Sequence, residues 1–295
     1  MGISRNKGRI KRRKSDCRGG GMPAASGRKK KNRNKQESGT IELIENYVVI
    51  DLEMTGLRAK TDRILEVGAA RVRNGVVTDI YAAIIRQQEK LPEKIVELTG
   101  ITDEAAEAGR ELDEVMEEFF SFLGEDILVG QNVIFDYSFL KQWAVNHKRC
   151  FEREAVDTLK LARKFLPEEE KKDLESLCRY FGILRRNAHR ALEDAIETAQ
   201  LLEKLKETFG EENEEAFAPK PLQYKAKRQS LATPQQIRYL QEFAAYHGIE
   251  LSRNLGGMTR SEASRLTDQL ILRYGKMGKR FKKEESLTSD EAFLK

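Results

Sequence analysis

Cysteine, histidine and tryptophan are all scarce in this chain of 295 residues. Its three cysteines, Cys17, Cys150 and Cys178, are odd in number and far apart, which excludes a disulfide framework and a cysteine-rich metal site. No apolar run approaches the roughly 20 residues needed to cross a bilayer. The first residues also lack the apolar stretch of a secretory signal. These absences predict a protein of the reducing cytoplasm without membrane association.

Charge is plentiful, but the net charge of +5 hides a division along the chain. Residues 1–40 carry a net charge of +12, residues 41–209 carry −10, and residues 210–295 carry +3. The acidic middle is therefore flanked by basic ends. A basic excess of this kind is typical of segments that meet nucleic acid.

The first segment, 1–40, is rich in Lys, Arg, Gly, Ser and Asn and has almost no apolar residues. Such a segment cannot bury enough surface to offset its ordering entropy, so we predict a disordered basic arm. It could serve as an electrostatic arm for nucleic acid. It could equally be a solubilising tail, or sequence upstream of a later start at Met22.

The middle of the chain alternates strand and helix patterns, which predicts an α/β domain with a mixed sheet over residues 41–210. An apolar run before Asp51 indicates a buried central strand, and Asn74-Gly75 joins two β-rich runs as a hairpin. A fourth, short strand is predicted at 127–129. Helical patterns cover the remaining segments, at 112–123, 135–147, 158–165, 173–181 and 188–209.

Beyond the domain, residues 211–230 lack periodicity and predict a linker. Thr233-Pro234 has the pattern of a helix start, and Thr259 and Glu262 have the spacing of a capping box. These signals predict a small helical hairpin over 231–276. A polar tail, 277–295, follows.

Five side chains in three motifs carry the chemistry. Asp51 and Glu53 are two apart on a strand, so both lie on one face, and two acids next to a buried strand are costly unless they are paired or bind metal. Asp136 begins a helix, where an ordinary first-turn Asp would also be favoured. His189 and Asp194 are five apart, so both reach one site only if His189 lies in the turn before the helix.

In this order, the motifs resemble those of the DEDDh 3′–5′ exonucleases of the RNase H-like superfamily, particularly the epsilon subunit of bacterial DNA polymerase III. The matching segments are Asp51-Leu-Glu-Met-Thr-Gly, Asn132-Val-Ile-Phe-Asp136 and His189-Arg-Ala-Leu-Glu-Asp194. Two intervening segments, Glu97-Leu-Thr-Gly-Ile-Thr-Asp103 and Val156-Asp-Thr-Leu159, are also similar. The resemblance covers a little over half of the chain.

The resemblance implies an RNase H-like domain with a central mixed sheet of about five strands flanked by helices. It implies that two Mg²⁺ or Mn²⁺ ions are held by Asp51, Glu53, Asp136 and Asp194, with His189 as general base. Carboxylate oxygens suit such hard cations, and an imidazole can accept a proton near neutral pH. The expected product is a nucleoside 5′-monophosphate released from a 3′ end, in proofreading, replication or repair.

A pocket for the terminal nucleotide is assigned more loosely, to Met54, Thr55, Leu57 and Phe135. Simple core packing explains Met54, Leu57 and Phe135 equally well. One departure from the family is Gln131, which stands where a His is common.

The expected partner is a single-stranded or frayed 3′ end of DNA, with a DNA polymerase as a candidate partner protein. RNA remains an alternative, because Asp51-Leu-Glu-Met-Thr-Gly-Leu also resembles the first motif of oligoribonuclease. A reading from another class is a non-catalytic module that binds nucleic acid or a polymerase. All five catalytic positions are filled, which favours an enzyme, and the rest of the domain resembles the epsilon type more closely than oligoribonuclease, which favours DNA.

Overall fold

The structure is a computed structural model that describes residues 43–278, except 88, 186–187, 252–254 and 256–257. The predicted basic arm, 1–40, lies outside the described residues, as does the predicted tail from 279 onward. The described chain contains six strands: β1 (Asn46–Met54), β2 (Ile64–Arg73), β3 (Val76–Ile84), β4 (Leu128–Gly130), β5 (Glu154–Asp157) and β6 (Lys220–Pro221).

The six strands form one sheet in the order β3-β2-β1-β4-β5-β6. β1 pairs antiparallel with β2 and parallel with β4, and β4 pairs parallel with β5, so the predicted mixed sheet is confirmed. It has one strand more than expected, because the two-residue β6 pairs antiparallel with β5. The carboxyl ends of the parallel strands β1, β4 and β5 meet at the same edge of the sheet, and the predicted motifs follow these ends.

The predicted hairpin between β2 and β3 is confirmed. Asn74 and Gly75 both adopt positive φ, 51° and 74°, as a type I′ turn requires. The two strands pair from Arg73 opposite Val76 to Glu66 opposite Ile84. This turn therefore fixes the register of the strand that neighbours β1.

Helices cover both faces of the sheet. The described helices are α1 (Glu93–Thr99), α2 (Asp103–Glu107), α3 (Leu112–Leu123), α4 (Ile134–Asn146), α5 (Thr158–Phe165), α6 (Leu174–Phe181), α7 (Ala191–Phe209), α8 (Glu214–Phe217), α9 (Pro234–His247) and α10 (Arg260–Tyr274). None of these described helices has both the length and the apolar composition to cross a membrane.

The side chains of β1 alternate between two cores. Val48, Ile50 and Leu52 pack with α3 and α4, while Tyr47 and Val49 pack with α5 and α7. Because strand side chains alternate, Asp51 and Glu53 continue the row that faces α7. On this face of β1, apolar core side chains are therefore followed by two carboxylates at the carboxyl end of the strand.

The first turn of α7 lies directly against β2. At Gly68, which pairs with Asp51 across the strands, a Cβ atom would overlap the backbone of Ala191 and Leu192. The absent side chain therefore lets the start of α7 reach the carboxyl end of β1. This contact places the third motif beside the first.

The segment predicted as a linker, 211–230, packs against the domain. It contains α8 and β6, and Phe217 is fully buried with its ring stacked on Phe165 at 5.7 Å. Leu222 is buried in the core beside α4. The boundaries of the predicted domains stay a prediction.

The two C-terminal helices are confirmed, and both capping boxes are formed, Thr233 with Gln236 and Thr259 with Glu262. They do not form the antiparallel hairpin that we expected. Gln236 Nε2 donates to the Arg260 carbonyl at the start of α10, and the rings of His247 and Tyr274 are 5.7 Å apart at the other end.

The starts and the ends of α9 and α10 therefore lie side by side, so the helices run in the same direction. A helix of 14 residues is about 21 Å long. The connection 248–259 can span more than this at about 3.3 Å per residue. The connection is therefore long enough to lead from the end of α9 back to the level of its start, where α10 begins, which a short hairpin loop could not do.

We expect Gly68→Ala to destabilise the protein by at least about 1–3 kcal/mol, since the added methyl group meets backbone that cannot move aside. Denaturant unfolding measures the loss. Ala82→Ser is the control, because Ala82 is exposed and pairs with Gly68 on the next strand. Equal stability of the two variants would show that the contact between β2 and α7 is loose.

Candidate active site

The first motif places two carboxylates at the end of β1. Asp51 pairs with Gly68 and Glu53 pairs with Glu66 on β2. Asp51 is half-buried, and Glu53 is buried with 9% of its surface exposed. Both belong to the row that faces α7, so they point toward the third motif.

The second motif brings Asp136 to β1 through a specific hydrogen bond. Asp136 lies in the first turn of α4 and is buried. Its Oδ1 accepts a hydrogen bond from the backbone N–H of Leu52 at 3.0 Å, and Leu52 lies between Asp51 and Glu53. The hydrogen bond thus joins the second motif to the first.

The third motif combines a turn and a helix, as its spacing required. His189 lies in the turn before α7 with a φ of 61°, and Asp194 lies in the first turn of the helix. One potential ligand atom each from Glu53, His189 and Asp194 lie within 4.8 Å of one another.

Glu66 holds this turn in place. Its carboxylate is buried and accepts hydrogen bonds from Arg190 Nε at 3.1 Å and from Arg190 Nη2 at 2.7 Å. It also accepts one from the backbone N–H of Ala191 at 3.1 Å. Three N–H donors next to His189 therefore bind the carboxylate of Glu66 on β2. The bidentate pair with Arg190 restrains the orientation of the turn that contains His189.

Burial and mutual repulsion hold the carboxyl groups toward their protonated forms. Burial, followed by repulsion from Asp194 and Glu66, raises the pKa of Glu53 to about 8. Burial raises the pKa of Asp136 to about 7, although backbone N–H groups oppose the rise. Burial, together with the neighbouring carboxylates, raises the pKa of Asp51 well above its usual range.

Arg185 offsets part of this negative charge. Its guanidinium contacts the carboxylate of Asp194, and its Nε lies 2.6 Å from Glu197 Oε2. Burial nevertheless raises the pKa of Asp194, against the lowering effect of Arg185. The site therefore carries more negative charge than its arginines neutralise, which suits a divalent cation.

The residues predicted to contact the substrate are spread over the rim of the site. Met54 packs partly against the core, and Thr55 Oγ1 accepts a hydrogen bond from the Arg63 N–H at 2.9 Å. Leu57 is 69% exposed and Phe135 is 37% exposed. Met54 therefore packs as a core residue, whereas the side chains of Leu57 and Phe135 face solvent.

Two structural residues near the site were not singled out by sequence reasoning. Asp157 is buried, caps α5, and accepts the Asn132 N–H at 3.0 Å, which joins the second motif to β5. Its only signal was the Val-Asp-Thr-Leu segment. Glu66 had no signal, because a single acid in a β-rich run is indistinguishable from a solvent-facing one.

Gln131, the departure from the family pattern, supports the strand ends. Its Nε2 donates to the Lys172 carbonyl at 2.7 Å, and its Oε1 accepts from Thr158 Oγ1 at 2.6 Å. It links β4 to the start of α5 and takes no part in the carboxylate cluster.

Comparison with curated proteins shows similarity to bacterial DNA polymerases. The DNA polymerase III subunit epsilon of Aquifex aeolicus is 35% identical over 162 residues, which cover 55% of this chain and 80% of that protein. The PolC-type DNA polymerase III of Clostridium perfringens is 35% identical over 158 residues, which cover 54% of this chain. The chain spans only about 11% of that larger relative.

Two solved structures share the fold. A full-length 3′-exonuclease aligns with a TM-score of 0.51 and 13% identity over 59% of this chain and 64% of that chain. The zinc-bound complex of E. coli ExoI with single-stranded DNA aligns with a TM-score of 0.50 and 20% identity, over 56% of this chain and 41% of that chain. The family model RNase_T, described as Exonuclease, matches residues 48–202, more than half of the chain. The chain therefore belongs to the RNase_T exonuclease family.

Proposed function

We propose that this protein is a metal-dependent 3′–5′ exonuclease that releases nucleoside 5′-monophosphates from the 3′ ends of DNA. The observation that carries the proposal is the meeting of three motifs at one end of β1. Asp136 bonds to the backbone of Leu52, between Asp51 and Glu53, and ligand atoms of Glu53, His189 and Asp194 lie within 4.8 Å of one another. Asp51 is close enough to Asp136 and Asp194 for both carboxylates to raise its pKa. These are the residue types that metal-assisted phosphodiester hydrolysis needs.

Two Mg²⁺ or Mn²⁺ ions fit this donor set. Asp51, Glu53, Asp136 and Asp194 would hold them, since hard cations prefer carboxylate oxygens and these four carboxyl groups lie together in a site where burial raises the pKa of each. When bound, the ions activate a water molecule and neutralise charge that develops on the phosphate and the departing 3′ oxygen.

His189 is the proposed general base. Its ring is partly exposed and lies within reach of Glu53 and Asp194, where it can accept the proton of the attacking water. Its backbone conformation, with positive φ, is uncommon for a residue other than glycine. Glu66 holds the adjacent Arg190 and Ala191, so it acts as a positioning residue for this turn.

The terminal nucleotide is proposed to lie against Thr55, Leu57 and Phe135, with Met54 beneath them. The exposed apolar side chains of Leu57 and Phe135 offer contact area to a base without reading its edge. Such contacts tolerate any sequence, as degradation from an end requires.

DNA is the proposed polymer because the relatives are named as DNA polymerase III proteins, and ExoI was solved with single-stranded DNA. A DNA polymerase is a proposed partner on the same ground. The oligoribonuclease-like alternative differs in the sensing of a 2′ hydroxyl. A direct comparison of DNA with RNA separates the two.

We expect the protein to shorten 5′-labelled single-stranded DNA and mismatched primer-template from the 3′ end with Mg²⁺ or Mn²⁺, and single-stranded RNA more slowly. EDTA abolishes the reaction. Asp51→Ala should lower kcat by at least about 100-fold, because metal ions contribute several kcal/mol of transition-state stabilisation. Asp79→Asn, on the exposed outer strand β3, is the matched control.

Failure of the wild type to shorten either polymer would leave the chain as a non-catalytic binding module. A variant Asp51→Ala as active as the control would remove the proposed metal site. Faster degradation of RNA than DNA would establish the oligoribonuclease-like alternative.

The raised carboxyl pKa values predict a pH-dependent effect of metal on stability. Groups with raised folded pKa values stabilise the metal-free fold below their unfolded pKa of about 4, and this contribution is lost as pH rises through the folded values of about 7 and 8. The Tm of EDTA-treated protein should therefore fall between pH 5 and 8.5. Added Mn²⁺ should restore it, with a gain that grows with pH.

Each 1 kcal/mol corresponds to roughly 2–4 °C in Tm for a domain of this size. The double variant Asp51→Asn with Glu53→Gln provides the control, and both its pH slope and its response to Mn²⁺ should be smaller. A metal-induced gain in Tm that is independent of pH would contradict the assignment of these carboxylates as ligands.

Glu66→Gln tests the positioning of the His189 turn. The amide keeps the shape of the side chain but places N–H groups or a weaker acceptor against Arg190 and Ala191. We expect a loss of roughly 10–100-fold in kcat or Mn²⁺ affinity, as for other groups that orient metal-site residues. The measurement is made well below the Tm of the variant.

Glu118→Gln is the control, because Glu118 is exposed and forms a surface ion pair with Arg110. Unchanged kcat and metal affinity in Glu66→Gln would reduce Glu66 to a purely structural residue.

A further inference from the structure

The segment that follows the nuclease domain is held against it by its backbone. Leu222 N–H donates to the Arg153 carbonyl at 2.9 Å, and Gln142 Nε2 donates to the Lys227 carbonyl at 2.9 Å. Gln229 N–H donates to Asn146 Oδ1 at 3.0 Å. The backbone makes these contacts, so the charged side chains of the segment remain directed to solvent.

The same segment also touches the loop that follows the first motif. Gln229 Nε2 donates to the Lys60 carbonyl at 2.7 Å, and Arg265 of α10 contacts the Thr61 carbonyl. Arg260 N–H, at the start of α10, donates to the Ser230 carbonyl at 2.9 Å. Three pieces of chain distant in sequence are thus joined next to the end of β1.

The fully exposed charged side chains of the segment 222–230, the loop 55–63 and the start of α10 are basic. The two acids of these pieces are half-buried and accept backbone N–H groups, Asp62 from Arg58 at 2.7 Å and Glu262 from Thr259 at 2.8 Å. We call the exposed basic side chains the basic surface, which consists of Arg58, Lys60, Lys225, Lys227, Arg228 and Arg260. Within the described part of the chain, none of these six side chains is in an ion pair. Most arginines of the nuclease domain are paired with acids: Arg63, Arg71, Arg73, Arg86, Arg110, Arg149, Arg153, Arg179, Arg185 and Arg190.

Clustered like charges repel, and a segment that carries three of them would be expected to avoid a fixed position beside two more. The backbone contacts nevertheless hold it there. A polyanion removes the repulsion and gains from counterion release.

The position of the basic surface selects the ligand. Arg58 is five residues beyond Glu53, on the loop that leaves the carboxylate end of β1. The domain as a whole is acidic, with a net charge of −10 over 41–209 that already includes Arg58 and Lys60, and a net negative charge repels polynucleotide. A strand whose 3′ end lies at the carboxylates therefore meets favourable charge on the basic surface.

We propose that the basic surface binds the phosphate backbone of the single-stranded DNA whose 3′ end occupies the active site. Most of it comes from residues 225–260, outside the segment 48–202 that matches the exonuclease family. This gives the C-terminal extension a role in substrate retention, and it rests on the proposed function for the identity of the strand.

The test compares the double variant Lys227→Gln with Arg228→Gln against a matched double variant, Arg163→Gln with Lys164→Gln, in the full chain. The control also removes one exposed lysine and one exposed arginine, and neither forms an ion pair within the described part of the chain. These two residues lie at the end of α5, where Phe165 stacks on Phe209 at the end of α7, away from the helix starts that carry the carboxylate motifs. Both variants therefore have the same net charge.

Binding of a 5′-fluorescein oligothymidylate, about 20 nucleotides long and so longer than typical single-strand sites, is measured by anisotropy in EDTA across a salt titration. The slope of log K against log salt should decrease by about 0.7 for each lost phosphate contact, about 1.4 in all. Affinity at 0.1 M salt should fall on the order of 10-fold. The control variant should keep the wild-type slope.

Hydrolysis of the p-nitrophenyl ester of thymidine 5′-monophosphate, which cannot reach the basic surface, separates this proposal from the proposed function. The test variant should keep wild-type turnover of the ester and lose kcat/KM only on the long strand. Equal slopes in the test and control variants would overturn the role of the basic surface. If the wild type hydrolyses neither the ester nor the DNA strand, the nuclease assignment is overturned. The salt slopes measured in EDTA would still show whether the basic surface binds DNA.

Discussion

The active site depends on the close approach of α7 to β2. At Gly68 the two backbones are in contact, and any side chain there would hold the helix away from the sheet. Two residues earlier on β2, Glu66 fixes Arg190 and the first N–H of the helix. A single strand thus sets both the distance and the orientation of α7, and with them the positions of His189 and Asp194 relative to Asp51 and Glu53.

This arrangement brings buried carboxyl groups close together, and their mutual repulsion is unfavourable. The approach places Asp194 and Glu66 near Glu53, and both raise its pKa. Arg185 pairs with Asp194, and Arg190 pairs with Glu66. Burial nevertheless raises the pKa values of Asp194 and Glu53 more than these arginines lower them. The backbone around the cluster is held at two points, since the N–H of Leu52 donates to the carboxylate of Asp136 and the N–H of Ala191 donates to that of Glu66. Rigid support of this kind keeps like charges together until a cation joins them.

The parts of the structure that were predictable are those encoded over a few residues. Asn74-Gly75 specified its turn because few other dipeptides adopt two positive φ values. Thr233-Pro234 and the capping box of Thr259 with Glu262 specified the starts of the two C-terminal helices. The spacing of His189 and Asp194 required a turn, which the structure contains. Each of these signals acts within about five residues.

What could not be predicted depends on residues far apart in sequence. β6 has two residues and no pattern, and it exists because β5 offers an unpaired edge. The parallel direction of α9 and α10 depends on contacts between residues far apart in sequence, such as Gln236 with Arg260. Glu66 is an unremarkable acid until β2 is paired with β1 and covered by α7. Its three hydrogen bonds to residues more than 120 positions away have no local signature.

The placement of charge follows the same logic on a larger scale. The nuclease domain pairs most of its arginines with its own acids, so little positive charge is left near a site that must receive a polyanion. The basic surface that we propose for the DNA strand is built mainly from the extension, so it adds no cations to the carboxylate cluster, where they would compete with the proposed metal ions. On this proposal, the cluster keeps the negative charge that divalent cations require, and the neighbouring surface keeps the positive charge that phosphates require. A single continuous domain surface could not readily do both, because charges of opposite sign at close range neutralise one another.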